Sequence, residues 1–153
     1  MIGVHTPSGA IISPTLISPK RYQWLHAAHS HRAQPEAFNH DLPKLLARYH
    51  PRAKSLNPQG RKLKLANHWA TMPTLQKALE RTFLSDKELF GSPLNCSMSS
   101  GISYCSAFPE DEIFGATTDS FRYRWTGSCI ANPEYEPEDM LKAVLHALSS
   151  SEA

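Results

Sequence analysis

The stretch TGSCIANPEYEPEDMLKAVLHAL, residues 126–148, decides how the rest of the chain is interpreted. Its short apolar run SCIA predicts a buried strand, and NPEY follows that strand directly. A helix is expected next, because Pro137, Glu138 and Asp139 suit a first helical turn. Four apolar side chains of this helix recur at helical spacing and are predicted to be buried: Leu141, Val144, Leu145 and Leu148.

Helix and strand patterns alternate upstream of this stretch. TMPTLQKALERTF predicts a helix near residues 73–83, KELFGSPLN and ISYCSAF predict short strands, and DSFRYRWTG predicts a half-buried strand or a tight loop. This interleaving favours an α/β sandwich with a mostly parallel sheet. Ligands of such sheets lie beyond the carboxyl ends of the strands. Because GSPLN and NPEY both follow strands, we expect them to line one crevice.

The first 65 residues differ from the rest in charge. They contain ten Lys or Arg and two acids, a balance of +8, whereas residues 66–153 have a balance of −6. We therefore divide the chain into a basic N-terminal segment, 1–65, and an α/β core, 66–153. The segment is predicted to be partly disordered or helical, with an extended or poorly ordered stretch up to Pro19 and a basic linker in AKSLNPQGRKLK. Between them, one helix is predicted to bury Trp24, Leu25 and Ala28, and another has Leu42, Leu45, Leu46 and Tyr49 on one side. Such a segment suits a polyanion, or attraction to the acidic core.

Composition bears on several other classes of protein. No apolar segment approaches the ~20 residues that cross a bilayer, so no membrane is expected. Three cysteines (Cys96, Cys105, Cys129) form no Cys-x-x-Cys pair, which favours an intracellular protein with buried thiols and no structural zinc. The histidines at 26, 29 and 31 are interpreted as solvated rather than metal-binding. No cysteine follows a proline, which disfavours the nucleophile of a cytosine-C5 methyltransferase.

The residue types in NPEY suit a planar ring that bears an amino group. The exocyclic nitrogen of adenine is a poor nucleophile, and a site that methylates it must accept hydrogen bonds from both N–H groups. The side-chain carbonyl of Asn132 and the main-chain carbonyl of Pro133 provide two such acceptors. The ring of Tyr135 can stack on an exposed base. The alternative is an ordinary turn between a strand and a helix.

Several short blocks in one order resemble a known family. FGSPLNCSMSSGISYCSAFPEDEIFGATTDSF followed by GSCIANPEY resembles the catalytic core of the phosphorylated-CTD-interacting-factor family, which are cap-specific adenosine N6-methyltransferases. HWATMPTLQKALERTF is also similar to the Trp-x-Thr-Pro opening of phage-type adenine-N6 DNA methyltransferases. The resemblance covers about residues 67–148 and implies a partial Rossmann-like methyltransferase sandwich, with the cofactor S-adenosyl-L-methionine and a nucleic-acid substrate, RNA favoured over DNA. It also implies a nuclear location.

The resemblance assigns roles to particular residues. Asn132, Pro133 and Tyr135 would lie at the target base. The methyl donor would be contacted by two groups of residues and by Asp119: the turn of Ser92, Pro93, Leu94 and Asn95, and the neighbouring His68, Trp69 and Thr71.

The chain departs from the family in two places. Glu134 stands where the family has a second proline, and the chain ends one helix after the motif. We therefore expect a truncated domain, or one that a partner chain completes. Three hypotheses follow: an adenine-N6 methyltransferase, an inactive relative that binds nucleic acid or protein, and an unrelated interaction domain.

Overall fold

The computed structural model describes residues 17–49 and 71–152. The chain divides into two compact units, Met1–Ala66 and Asn67–Ala153. In the first unit, α1 spans Pro19–Ser30 and α2 spans Phe38–Arg48, with a 3₁₀ helix at Pro35–Ala37 before α2. The Ser18 hydroxyl starts α1 by accepting a hydrogen bond from the Arg21 N–H at 3.2 Å.

Apolar side chains join α1 to α2. The buried apolar residues are Leu25 of α1 and Phe38, Leu42, Leu45 and Leu46 of α2. The expectation for the leucines is therefore confirmed, whereas Trp24, Ala28 and Tyr49 are half-buried. The helical period of about 3.6 residues identifies the apolar face of each helix from sequence. How much of that face is covered depends on the helix that packs against it.

His29 is a second departure from expectation, because its side chain is fully buried rather than solvated. Its Nε2 lies 3.1 Å from Asp41 Oδ2, so a carboxylate of α2 partners the buried imidazole. Burial alone would raise the pKa of Asp41, but the hydrogen bonds with His29 and His40 and the charge of Lys44 outweigh burial and lower that pKa. His26 and His31 are exposed, as expected.

The described part of the second unit, residues 71–152, contains two longer helices and four short strands. The helices are α3, Pro73–Phe83, and α4, Pro137–Ser151; the strands are β1, Lys87–Glu88, β2, Ser103–Ser106, β3, Thr117–Thr118, and β4, Cys129–Ile130. Two 3₁₀ helices, Pro109–Phe114 and Ser120–Arg122, flank β3. Gly115 ends the first of them with φ 94°, a left-handed conformation that glycine adopts without steric cost.

All pairings in the sheet are parallel, and the strand order is β3-β2-β1-β4. Lys87 of β1 faces Ser103 of β2 and Cys129 of β4, so β1 is an interior strand. The prediction of an α/β unit with a parallel sheet is confirmed at this level. Since sequence order and spatial order reverse between β1 and β4, a topological switch point lies between these two strands.

One prediction about the strands is wrong in detail, and for DSFRYRWTG the structure decides between the strand and the tight loop. SCIA forms β4, but Cys129 and Ile130 are half-buried because β4 is an edge strand among the described residues. DSFRYRWTG contains no strand residue; it forms the 3₁₀ helix Ser120–Arg122 and an irregular segment. The side chain of Asp119 starts that helix by accepting from the Phe121 N–H at 3.1 Å, which diverts the backbone from an extended path.

The orientation of α4 contradicts the sequence pattern most clearly. Leu141, Val144, Leu145 and Leu148 are 53–59% exposed, and the buried positions of α4 are Ala143 and Ser150. The face of α4 that carries the small residues Ala143 and Ser150 is joined to the rest of the second unit by polar contacts. Ser150 O accepts from Arg124 Nε at 3.0 Å, and Ser150 Oγ accepts from the Trp125 N–H at 3.1 Å. The apolar stripe therefore faces away from the sheet.

This orientation predicts a small effect for a leucine that the sequence pattern places in the core. Leu145→Ala should lower the free energy of unfolding by less than about 1 kcal/mol, because the side chain is already 57% exposed. The matched variant Leu89→Ala, at a residue only 3% exposed, should cost about 2–5 kcal/mol. Urea unfolding of both variants measures the difference, and a larger loss for Leu145→Ala would place the stripe in a core.

No helix among the described residues is long and apolar enough to cross a membrane. The predictions of an extended stretch before Pro19 and of a basic linker after residue 52 fall mostly or wholly outside the described residues.

Candidate functional site

Two turns leave neighbouring parallel strands at the same edge of the sheet. Glu88 of β1 faces Ile130 of β4, and the backbone N–H of Leu89 donates to Ile130 O at 2.9 Å. The segment after β1 leads into residues 92–95, and the segment after β4 leads into Asn132. Adjacent strands lie ~5 Å apart, so both turns begin close to the switch point.

Hydrogen bonds within the first turn fix its shape. Asn95 Oδ1 accepts from the Ser92 N–H at 2.7 Å and from the Ser92 hydroxyl at 2.9 Å. In return, Ser92 O accepts from the Asn95 N–H at 3.1 Å and the Cys96 N–H at 2.9 Å. Ser92 and Pro93 are buried, and Leu94 and Asn95 are half-buried. The Asn95 carboxamide therefore organises the turn, and its effect on a ligand would be exerted through the shape of the backbone.

Two carboxylates anchor the segment that follows this turn. The Ser97 N–H donates to Glu88 Oε2 at 2.9 Å, and the Ser97 hydroxyl donates to Glu80 Oε1 at 2.7 Å. Glu88 belongs to β1 and Glu80 to α3, so one serine joins the strand, the helix and the loop. Polar side chains thus position the turn before any ligand is present.

The second loop places an amide oxygen beside an exposed aromatic ring. Asn132, Pro133 and Glu134 are half-buried, and Tyr135 is 59% exposed. The Tyr135 hydroxyl donates to Asn132 Oδ1 at 2.9 Å. Because a phenol can donate only to the oxygen of a carboxamide, this contact sets the orientation of the Asn132 amide.

Asp119 lies at the carboxyl end of β3, at the same edge but beyond β2. Its backbone N–H donates to Ser106 O at 2.8 Å, and its φ of 50° is unusual for a residue other than glycine. One carboxylate oxygen, Oδ1, accepts from the Phe121 N–H. The strained backbone and the half-buried carboxylate mark Asp119 as a candidate for ligand contact.

The thiols near the sheet do not suit nucleophilic chemistry. Burial raises the pKa of Cys105, although the charge of Lys87 opposes this shift. Burial also raises the pKa of Cys129, which is half-buried and not buried as expected. Cys96 and Cys105 are buried, as expected. Because only a thiolate attacks carbon efficiently, Cys105 and Cys129 are poor nucleophiles at neutral pH.

The remaining predicted site residues are only partly visible. Thr71 is half-buried and lies two residues before α3, whereas His68 and Trp69 lie outside the described residues. Within residues 17–49 and 71–152, no group of three or more His, Cys, Asp or Glu side chains could bind a metal ion.

The family profile described as the phosphorylated CTD interacting factor 1 WW domain matches residues 20–152. The chain belongs to this family. No curated protein matches the chain. The family match begins inside α1, so both described helices of the first unit are part of the family region, whereas the resemblance seen in the sequence began only near residue 67.

One group of surface residues in this family member escaped the sequence interpretation. Arg122, Tyr123 and Arg124 lie between β3 and β4, and Lys142 and His146 of α4 contact the same segment. The alternation of arginine with aromatic residues in FRYRW predicts a half-buried strand or a tight loop. Without the irregular backbone that the structure shows, the pattern did not indicate a common surface.

Proposed function

We propose that this chain is the core of an S-adenosyl-L-methionine-dependent N6-methyltransferase that acts on adenine in nucleic acid, with an mRNA cap-type adenosine favoured over DNA. The observation that carries the proposal is the position of Asn132, two residues after β4, the strand that pairs with β1. The order β3-β2-β1-β4 suits a partial Rossmann-like methyltransferase sandwich with its ligands at the switch point. A nuclear location is part of the same proposal.

The residues at the edge of the sheet fit the methyl donor. When bound, S-adenosyl-L-methionine supplies an electrophilic methyl group on a sulfonium. Asp119 accepts a backbone hydrogen bond at Oδ1, and its other oxygen suits a hydroxyl or amino group of the donor. The turn of Ser92, Pro93, Leu94 and Asn95 contributes its fixed backbone, because the Ser92 hydroxyl and the Asn95 side-chain oxygen already form hydrogen bonds within the turn. Thr71, with His68 and Trp69, would complete this side.

On the acceptor side, Asn132 and Pro133 orient the amino group of the base. Asn132 Oδ1, which is oriented by the Tyr135 hydroxyl, accepts one N–H of the amino group, and the carbonyl of Pro133 accepts the other. Two fixed acceptors direct the nitrogen lone pair away from both N–H bonds and towards the donor methyl. The exposed ring of Tyr135 stacks on the base.

A second candidate function is a protein-interaction module. The family description names an interacting factor for a phosphorylated CTD, and WW domains bind proline-rich segments. Exposed Lys20, Arg32 and Lys44 in the described part of the first unit suit a phosphorylated peptide. Tighter binding of a phosphorylated peptide than of its unmodified form, without methyl transfer, favours this candidate. A partner chain at the edge strand β4 is compatible with both candidates.

Donor binding is the first test. S-adenosyl-L-methionine should raise the melting temperature, since a ligand at 100 times its Kd stabilises the native state by about 2.7 kcal/mol. Asn95→Ala should abolish this shift because the Ser92 N–H loses its acceptor. Asn95→Asp should retain the shift because a carboxylate accepts the same two hydrogen bonds.

Asn39→Ala, on the exposed surface of α2, is the matched control and should leave the shift unchanged. Calorimetric titration with the demethylated product should give the same ranking of variants. A wild-type chain that neither shifts with the donor nor binds the product would contradict the methyltransferase proposal.

A further inference from the structure

The segment between β3 and β4 presents basic and aromatic side chains next to α4. Lys142 Nζ lies 3.7 Å from the centroid of the Phe121 ring, and His146 Nε2 lies 2.8 Å from Tyr123 O. We define the basic–aromatic patch as Arg122, Tyr123, Arg124, Lys142 and His146.

Aromatic packing fixes the backbone of this patch. Phe121 and Trp125 lie on either side of it and both contact Phe90, with ring centroids 5.4 and 5.8 Å away. The Trp125 indole N–H donates to Ser120 O at 2.8 Å. Arg124 donates from Nε and Nη2 to Ser150 O at 3.0 and 2.8 Å. The patch is therefore ordered without a ligand, which lowers the entropy lost on binding.

The cations of the patch form no close ion pair, although Glu138 lines the same surface groove as Lys142 and His146. Across the described ranges 17–49 and 71–152, no carboxylate lies within 4.0 Å of Arg122, Arg124 or Lys142. These cations belong to a part of the chain, residues 66–153, whose overall balance is −6. A local excess of positive charge in an acidic unit points to a negatively charged ligand.

The exposed ring distinguishes this patch from a simple anion site. Tyr123 is 50% exposed, although its backbone is fixed by the contact with His146. Proteins that bind single-stranded nucleic acid combine cations for phosphates with aromatic rings on which bases stack. A phosphorylated peptide would use the cations but would leave the ring without a planar partner.

We propose that the basic–aromatic patch binds a single-stranded segment of nucleic acid, with one base stacked on Tyr123 and phosphates near Arg122 and Lys142. This inference rests on the proposed function, because the patch would bind the part of the strand that flanks the target adenine. The 3₁₀ helix Ser120–Arg122 starts directly after Asp119, at the edge of the sheet where Asn132 also lies.

Fluorescence anisotropy of the full chain with a labelled single strand of about 12 nucleotides tests the patch. Separate RNA and DNA strands identify which sugar is preferred, because only RNA offers the 2′-hydroxyl. Tyr123→Ala should weaken binding about tenfold or more through the lost stacking, and Tyr123→Phe should retain the affinity. The double variant R122A/K142A should lower the slope of log Kd against log salt by about 1.4.

The matched control removes two positive charges from another surface of the same unit. Lys77 and Arg81 are exposed on α3, and K77A/R81A should leave the salt slope nearly unchanged. Ultraviolet crosslinking of a photoreactive nucleotide should label Tyr123 in the wild type, which locates the strand independently of affinity. Unchanged melting temperatures establish that the variants are folded.

Three results would overturn the inference: wild-type affinity in Tyr123→Ala and R122A/K142A, an equal loss in K77A/R81A, or patch-dependent binding of a phosphorylated peptide in preference to the strand. Methyl transfer, measured in parallel, separates this inference from the proposed function. A chain that binds the strand through the patch but transfers no methyl group contradicts only the methyltransferase proposal. Methyl transfer that is unaffected in the patch variants at low substrate concentration would mean that the patch does not bind the strand that flanks the target adenine, and it leaves the methyltransferase proposal intact.

Discussion

Asn132→Ala is expected to lower the turnover number for methyl transfer by about 10²–10³, the usual effect of removing one preorganised polar contact to a reacting group. In the structure, Asn132 Oδ1 lies at the carboxyl edge of β4 and is oriented by the Tyr135 hydroxyl at 2.9 Å. Under the proposed function, alanine leaves Pro133 O as the remaining acceptor for the amino group of the base, which would no longer be held by two hydrogen bonds. The assay is transfer of labelled methyl from S-adenosyl-L-methionine to adenine-containing RNA and DNA.

Two variants make this result specific to the amide oxygen. Asn39→Ala, on α2, removes an exposed carboxamide elsewhere and should retain full activity. Tyr135→Phe keeps the ring but removes the hydroxyl that orients Asn132, so activity should fall only a few-fold, consistent with one hydrogen bond of about 1 kcal/mol. Undiminished activity in Asn132→Ala would show that NPEY is a turn without a catalytic role.

The parallel sheet and the two longer helices of the second unit could be predicted from sequence because their signals are local. Pro73 and Pro137 lie at the first positions of α3 and α4, where proline suits a helix. The strand-end turns GSPLN and NPEY marked the two strands that border the switch point. Each of these signals depends on neighbours within a few residues, so the fold class followed from the sequence.

Features that depend on distant partners could not be predicted in this way. The stripe on α4 has the spacing of a core face, but the face that packs is fixed by Arg124 and Trp125, 25 or 26 residues away from Ser150. His29 is buried because Asp41 provides a carboxylate from the next helix. A hydrophobic period identifies which side chains share a face; it does not identify what covers that face.

The same distinction applies to the candidate site. The resemblance implies that Asn95 contacts the methyl donor, which stays a prediction, and the structure adds two hydrogen bonds from Ser92 to its side-chain oxygen. Residue types at the correct spacing therefore identified the turn. That the Asn95 side chain shapes the backbone of the turn is visible only from the hydrogen bonds in the structure, because a sequence pattern contains no information on which atoms are in contact.

Phe114→Ala is expected to reduce the free energy of unfolding of the second unit by about 3–5 kcal/mol, the usual loss for a large aromatic side chain removed from a core. Phe114 is 1% exposed, and its carbonyl accepts the Tyr104 hydroxyl at 2.8 Å, which joins the 3₁₀ helix Pro109–Phe114 to β2. Domains are stable by only about 5–15 kcal/mol, so this loss would leave the sheet marginal. Both strand-end turns depend on that sheet, and donor binding should weaken with it.

Phe83→Ala provides the matched comparison, because Phe83 is the same residue type but is 61% exposed at the end of α3. Its cost should remain below about 1 kcal/mol. Amide hydrogen exchange of β2 reports the stability of the sheet locally, so unfolding of the helices α1 and α2 does not obscure the result. Equal protection of β2 in the two variants would mean that Phe114 is not part of the core of the sheet. The strands would then have to be positioned by the polar contacts of Ser97 with Glu80 and Glu88, and E88Q would become the more damaging substitution.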